Sequence, residues 1–293
     1  MPGLYFLCLV VAGMAFWSSR AVCAALALLL TGVYYWINPP LYVNIYEMNV
    51  ILLQLVAFLA PVVVIPMMIK QIALQKQQTL ETISALVKAL DSRDSYTAAH
   101  SENVAAYALL LSQKLKLTKK ECETIYIGGL LHDIGKIGIP EAVLNKRSRL
   151  TQEEFEKIKE HPVIGHNTLK HIGAFQNTGI LEMILHHHER YDGNGYPHRL
   201  AGKDIPLYAR IICVADCLDA MTSRRVYRER LDCDDVLREF EQHKGTQFDP
   251  DIVDALLDEP KIMAMLRDRH RPQSIRRAGP PRPEPIAPRA PLA

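Results

Sequence analysis

Two short stretches hold the groups that could do chemistry. The first, LLHDIGKIGIP at 130–140, sets His132 beside Asp133 and puts Lys136 one helical turn after the histidine. Adjacent side chains on a helix diverge by roughly 100°, so the imidazole and the carboxylate approach a common point from two directions. Left unpaired among Leu130, Leu131, Ile134 and Ile137, the pair would be costly to bury. Either an ordinary histidine–aspartate hydrogen bond or a bound cation removes that cost. The second stretch, HHHERYDGNGYP at 186–197, runs three of the chain's 11 histidines into a glycine loop. Its DG and NG pairs are common turn formers, and by itself the stretch is equally compatible with a solvated loop.

Matching donors stand at four other places. His100 opens a helical stretch, and His161 precedes Pro162 at a helix boundary. His187 and His188 stand just before the glycine loop, and Asp216 lies in the otherwise apolar ARIICVADCLDAM. With His132 and Asp133 these make five imidazoles and two carboxylates, too many for one ion and suited to two. Mixed nitrogen and oxygen ligation without thiolate favours iron or manganese, with zinc the outsider. Two ions bridged by Asp133 would share a hydroxide, make it nucleophilic at neutral pH and clamp a phosphate for in-line attack. That chemistry is phosphodiester or phosphomonoester hydrolysis. His166, His171, His243 and His270 fit caps, packing or solvent, and His198 adjoins the loop. Asp219, one turn after Asp216, is a candidate orienter of a ligand histidine, and Glu189 and Asp192 either do likewise or fix the loop.

Helices must position these groups. From 93 to 260 the segments carry helical patterns and none sustains the period-two alternation of a strand, so the expected class is an all-α bundle. TQEE at 151–154 is a capping box, with Thr151 as N-cap and Glu154 three residues on. Residues 70–92 form a helical linker in which Leu80, Ile83, Leu86, Val87 and Leu90 share a face. That linker either packs on its own domain or pairs with a second copy in a homodimer. Ahead of it, residues 1–69 hold three apolar runs at 4–17, 21–37 and 48–69, against the roughly 20 residues needed to cross a bilayer. Arg20, Lys70 and Lys76 flank them, and the connector at 38–47 has no Lys or Arg. Three transmembrane helices with the C-terminal domain in the cytoplasm put every basic flank inside. Residues 261–293, rich in Pro and Arg, are expected to be a disordered tail. A net charge of +2 gives no drive toward nucleic acid. The six cysteines show no CxxC pair, and those past residue 100 fit small buried hydrophobes in a reducing compartment.

The blocks DSYTAAHS (94–101), HDIGKIGIP (132–140), EHP (160–162), HHERYDGNGYP (187–197), IPLYARIICVADCLDAMTS (205–223) and GTQFDP (245–250) carry a resemblance in their order and spacing. Over residues 91–260 the chain resembles the HD-GYP family. The resemblance implies an HD-type helical bundle and a metal-dependent phosphodiesterase that opens cyclic di-GMP to pGpG or on to GMP. It implies His100, His132, Asp133, His161, His187, His188 and Asp216 as metal ligands, and Lys136 as the group that stabilises charge on a phosphate oxygen. Gly195, Tyr196 and Pro197 would lie near the substrate entrance, and Arg225 and Arg228 would grip guanines or phosphates. Tyr96 stands where members with a third metal carry a glutamate, so two ions are implied, and His186 falls outside the ligand positions. The chain departs from the family at Asn103, at Arg147 and Ser148, at Arg199 and at Val226, losing no ligand but altering the substrate side. The resemblance says nothing of the membrane segment; with the apolar runs and their basic flanks, the expected setting is the bacterial inner membrane, multi-pass, with the catalytic domain cytoplasmic. Two alternatives stay open: a catalytically weak nucleotide-sensing or docking module, with a diguanylate cyclase as one partner, and a hydrolase of another cyclic dinucleotide.

Overall fold

The structure, a computed structural model, describes residues 45–93, 99–146, 148–223 and 232–269 and the isolated positions 29, 32, 33 and 36, with the side chains of 45–63 and 267–269 excepted. Among the described residues every regular element is helical, and the one bridge, Lys244 to Phe248, stands isolated. The all-helical expectation holds.

The first long element, α1 (Ile45–Asp91), contains all but the last residue of the expected linker. Two compact units divide within it, the second beginning at Leu80. From there Ile83, Val87 and Leu90 are buried, at helical spacing, and Ile83 and Val87 join the core of the second unit. The linker's last turns thus pack on their own domain. Leu86, expected on the same face, is 60% exposed. It sits one residue off the stripe, about 100° round from Val87, and its side chain leaves the contact. Over the positions whose side chains are described, no helix is long and apolar enough to cross a membrane. The apolar runs at 4–17 and 21–37, apart from the isolated positions, and the side chains of most of the run at 48–69 lie outside the described residues.

The second unit is a bundle. Its main members are α2 (His100–Lys114), α3 (Lys119–Leu131), α6 (His161–Leu169), α7 (Ile180–His186) and α8 (Leu207–Thr222). Shorter helices α4 (Glu141–Leu144) and α5 (Gln152–Lys159) lead into α6, and α9 (Cys233–Gln242), α10 (Pro250–Leu257) and α11 (Pro260–Arg269) close the fold. Helix α2 lies against both α3 and α8, and α7 against α3, α6 and α8. Tyr107 and Leu111 of α2, Ile125 of α3, Met183 of α7 and Ile212 of α8 are fully buried between them. The helix starts follow local chemistry. The Thr151 side chain accepts the Glu154 N–H at 3.2 Å while the Glu154 carboxylate accepts the Thr151 N–H at 2.8 Å, the expected capping box. TKKE at 118–121 carries the same signature, and Thr118 and Glu121 make the same reciprocal pair at the start of α3. Pro162 in the first turn of α6 fixes that start, where a missing N–H does no harm. Among the cysteines described past residue 100, Cys122 and Cys213 are buried and Cys217 and Cys233 half-buried.

The tail boundary at 261 needs correction. Residues 261–269 continue α11, and Ile262 and Leu266, four residues apart, are fully buried in the core. The Arg- and Pro-rich composition beyond masks this short apolar pair, which has nowhere else to be buried. Leu266→Ala should therefore destabilise the domain by about 2–4 kcal/mol in chemical denaturation. A change within about 0.5 kcal/mol, the usual span for a surface site, would put Leu266 outside the core.

Candidate metal centre

Three of the expected ligand histidines arrive by the same local device. His132 follows the last residue of α3, His161 stands two residues past the end of α5, and His187 follows α7. The last carbonyls of a helix have no intrahelical partner. Each ring fills that vacancy: Nδ1 of His132 donates to the Gly129 carbonyl at 2.8 Å, Nδ1 of His161 to Ile158 at 2.7 Å and Nδ1 of His187 to Ile184 at 2.8 Å. A carbonyl only accepts, so Nδ1 carries a proton and Nε2 is the nitrogen each ring turns inward. His100 at the head of α2 is held likewise, with Nδ1 2.8 Å from Oδ2 of Asp219. Asp219 is the orienting carboxylate expected one turn after Asp216, and Ser223 Oγ steadies it at 3.1 Å.

The inward atoms converge. Nε2 of His161 and Nε2 of His187 face each other at 3.2 Å, and Nε2 of His132 is buried with no hydrogen-bond partner. Asp133 lies at the centre: Oδ1 is 3.2 Å from His161 Nε2, and Oδ2 is 3.4 Å from His132 Nε2 and 3.7 Å from His100 Nε2. Asp216 Oδ1 approaches His100 Nε2 at 3.3 Å. The donors form two groups, Asp133 with His161, His187 and His188, and His100 with His132 and Asp216, each with ligand atoms within 4.8 Å of one another. All seven expected ligands are thus brought together. Lone pairs 3.2 Å apart repel unless a cation lies between them, and an orphaned buried nitrogen needs a partner. The donor set fits divalent metal ions. Lys136 Nζ stands 2.7 Å from Asp133 Oδ2, one step behind the ligand face.

Electrostatics divide the histidines. Burial opposes charge at His100, but Asp216 and Asp219 lift its pKa well above the usual value, and Asp133 lifts His132 against the same penalty. Burial lowers His187 strongly, helped by His188 and His132, and takes His188 down to about 3, with His161 adding to the effect. Burial resists ionisation of Asp133 and Asp216, yet Lys136 and His132 hold the first carboxyl well below the usual carboxylate range, and His100 holds the second there.

Main-chain contact sets the geometry. A Cβ on Gly135 would fall 1.8 Å from the His161 carbonyl oxygen and 2.5 Å from Gly165 N. Only glycine lets the 3-10 turn Ile134–Gly138 lie directly on α6, and that contact holds Asp133 against His161. In the glycine loop, a Cβ on Gly195 would meet Arg190 N at 2.4 Å and Glu189 Cα at 2.5 Å. Glu189, carboxylate buried, takes the His198 N–H at 2.7 Å and the Leu200 N–H at 3.1 Å, so it fixes the loop. Asp192 does the same through Asn194 N and Arg190. The loop's outer edge bonds to the GTQFDP block, Tyr191 N to Gln247 O and Asp192 N to Thr246 O, with Arg190 on the Gln247 side chain. That bracing was not foreseen from sequence. Nor was the Ser101 hydroxyl donating to Asp91, which ties the end of α1 to the helix that begins with His100. Tyr196 stacks on His188 at 4.9 Å between ring centroids, and Gly195 and Pro197 flank it. Arg199 holds a left-handed φ of 58°, which explains the glycine usual there in the family it resembles. Arg225, Val226 and Arg228 lie outside the described residues.

With that geometry in view, comparison places the chain. A family model described as "HD domain" matches residues 72–252, and the chain belongs to the HD domain family. It is 43% identical over 183 residues to the cyclic di-GMP phosphodiesterase response regulator RpfG of Xanthomonas campestris, covering 62% of this chain and 48% of that protein. It is 39% identical over 198 residues to a cyclic di-GMP phosphodiesterase of Vibrio cholerae, covering 63% of this chain and 40% of the relative. The chain therefore spans half or less of these relatives' length. A crystal structure of a cyclic GMP-AMP specific phosphodiesterase from V. cholerae shares the fold, with a TM-score of 0.50 at 19% identity over 64% of this chain and 50% of that one.

Two outcomes follow. Gly135→Ala should cost about 3 kcal/mol in denaturation and abolish Mn(II) uptake; full stability with normal metal content would remove the main-chain contact from the account. In the metal-free protein His100 and His132 keep their protons above the ordinary histidine range, and a metal must displace them. Affinity should thus rise with pH until those groups have titrated and fall as pH drops. Mn(II) titration calorimetry in two buffers of different ionisation enthalpy should register proton release near pH 7, and buffer-independent heats would contradict it.

Proposed function

We propose that the chain is a membrane-anchored, metal-dependent phosphodiesterase that hydrolyses cyclic di-GMP to pGpG or on to GMP. The observation that carries this reading is the pair of donor groups meeting at Asp133, with the Nε2 atoms of His132, His161 and His187 all turned inward. Two ions, iron or manganese, suit five imidazoles and two carboxylates without thiolate. Such ions, when bound, supply a water acidic enough to attack at neutral pH and positive charge to offset the phosphate in the transition state.

The chain's own groups do the rest. The carbonyls of Gly129, Ile158 and Ile184 and the Asp219 carboxylate lock the ligand rings, so no reorganisation is needed when substrate arrives. Lys136 keeps Asp133 ionised and remains close enough to neutralise a phosphate oxygen. The Gly195–Tyr196–Pro197 loop, braced by Glu189 and Gln247, walls the entrance with the Tyr196 ring. Arg225 and Arg228 are proposed to grip the bases or phosphates, as the resemblance implies.

The setting is proposed to be the bacterial inner membrane, with three spans in residues 1–69 and the catalytic domain in the cytoplasm. Support comes from the apolar runs and from their basic flanks at Arg20, Lys70 and Lys76. Met67, Met68, Ile69 and Ile72 of α1 are all exposed, which suits lipid or a second copy of the helix. A homodimer through the linker and a diguanylate cyclase partner belong to the same proposal.

One observation favours a second reading. Arg199 puts a cationic side chain and a strained backbone at the loop's exit, where glycine is usual in the family it resembles. A sensing or docking module, or a preference for another cyclic dinucleotide, would follow from an altered entrance. The full chain, loaded anaerobically with Fe(II) or Mn(II), should convert cyclic di-GMP, and Asp133→Ala should slow turnover by about 100-fold or more. Tight cyclic di-GMP binding at full metal occupancy with no product would select the sensing module. Faster turnover of cyclic GMP-AMP in competition would select the other substrate.

A further inference from the structure

A third group of donors stands outside the seven ligands. His186, the last residue of α7, Glu189 and His198 offer two imidazoles and a carboxylate whose ligand atoms lie within 4.8 Å of one another. His186 Nδ1 is inaccessible to solvent, has no hydrogen-bond partner, and lies 3.8 Å from Glu189 Oε1, too far for a hydrogen bond. The His186 and His198 rings are 5.2 Å apart at an angle of 53°. Glu189 Oε1 already accepts the His198 N–H, but a carboxylate oxygen has two lone pairs, and the second is free to take a cation.

We propose that His186, Glu189 and His198 bind a further divalent cation of the zinc type. Two imidazoles and one carboxylate, with solvent at the fourth position, are a common zinc donor set. Donors in a tetrahedral site with bonds near 2 Å stand about 3.3 Å apart. Closing to that spacing brings Glu189 Oε1 about half an ångström nearer His186 Nδ1 and swings in His198, whose side chain is exposed on the loop. The ion joins the end of α7 to the residue that follows Gly195–Tyr196–Pro197, and so pins both ends of the loop. Its role is to hold the entrance loop, and it takes no part in bond breaking. The inference goes beyond the proposed phosphodiesterase and does not rest on it.

The full chain is dialysed against micromolar Zn(II), and bound zinc is counted by elemental analysis. Wild type should hold about one zinc per chain more than His198→Ala, which removes only an exposed side chain. Asp133→Ala, which opens the shared centre, should keep the ion that His198→Ala loses, so a failed catalytic centre and a failed loop site give different counts. Amide exchange across 190–198 should slow on adding Zn(II) to wild type and stay unchanged in His198→Ala. His186→Gln, less exposed to the loop's own conformation, should match His198→Ala in both measurements. Equal zinc counts in wild type and His198→Ala, both folded by circular dichroism, or slowed exchange in both, would overturn the site.

Discussion

Nε2 of His161 and Nε2 of His187 face each other across 3.2 Å with both ring protons committed to backbone carbonyls. Such an arrangement holds only if the surrounding fold fixes both rings and a positive charge satisfies them. The carbonyls that fix them belong to the last turns of α5 and α7, where a helix leaves its acceptors open. The end of α3 adds His132 by the same means. Three helix C-termini, each the negative pole of its helix dipole, therefore point at one place. Their partial charges add to those of Asp133 and Asp216 and favour cations there, and the ligand rings and the field that suits a metal have a common origin.

Close backbone approach converts that local device into a centre. Gly135 lets the turn after Asp133 touch the first residue of α6, and Gly195 lets the loop fold back on Glu189 and Arg190. In both places the missing Cβ allows a contact that no side chain permits, and in both the segment brought close carries or borders a ligand. The outer bracing is polar rather than steric. Gln247 reaches both Arg190 and Cys217, so a distant block links the loop to the helix of Asp216. Asp91 and Ser101 make the corresponding link between the end of α1 and the helix that presents His100.

Much of the site was legible from residue type alone. Seven ligands, Lys136 and the glycine loop stood out because buried imidazoles and carboxylates are costly unless something pairs them, and because their blocks recur in a recognisable order. The helices were legible from periodicity, and the Thr151 cap from its partner three residues on. The end of the bundle was not. Ile262 and Leu266 are two apolar residues in a stretch whose composition points to a solvated tail, and only the cavity they fill distinguishes them from exposed ones. Leu86 erred the other way, since a one-residue offset on a helix is invisible until the partner surface is known.

By itself the sequence determined which atoms are available: the donor types, their absence of thiolates, the helical elements and the residues at their ends. Only the tertiary structure decided which donors stand together. His100 and Asp219 lie 119 residues apart, and their 2.8 Å contact depends on how α2 packs against α8. The same packing made Glu189 a brace for the loop, left His186 Nδ1 without a partner beside it, and put Arg199 into a left-handed turn. Local propensity reaches only a few residues along a chain, whereas a metal centre needs ångström-scale agreement between segments that meet only when the core closes.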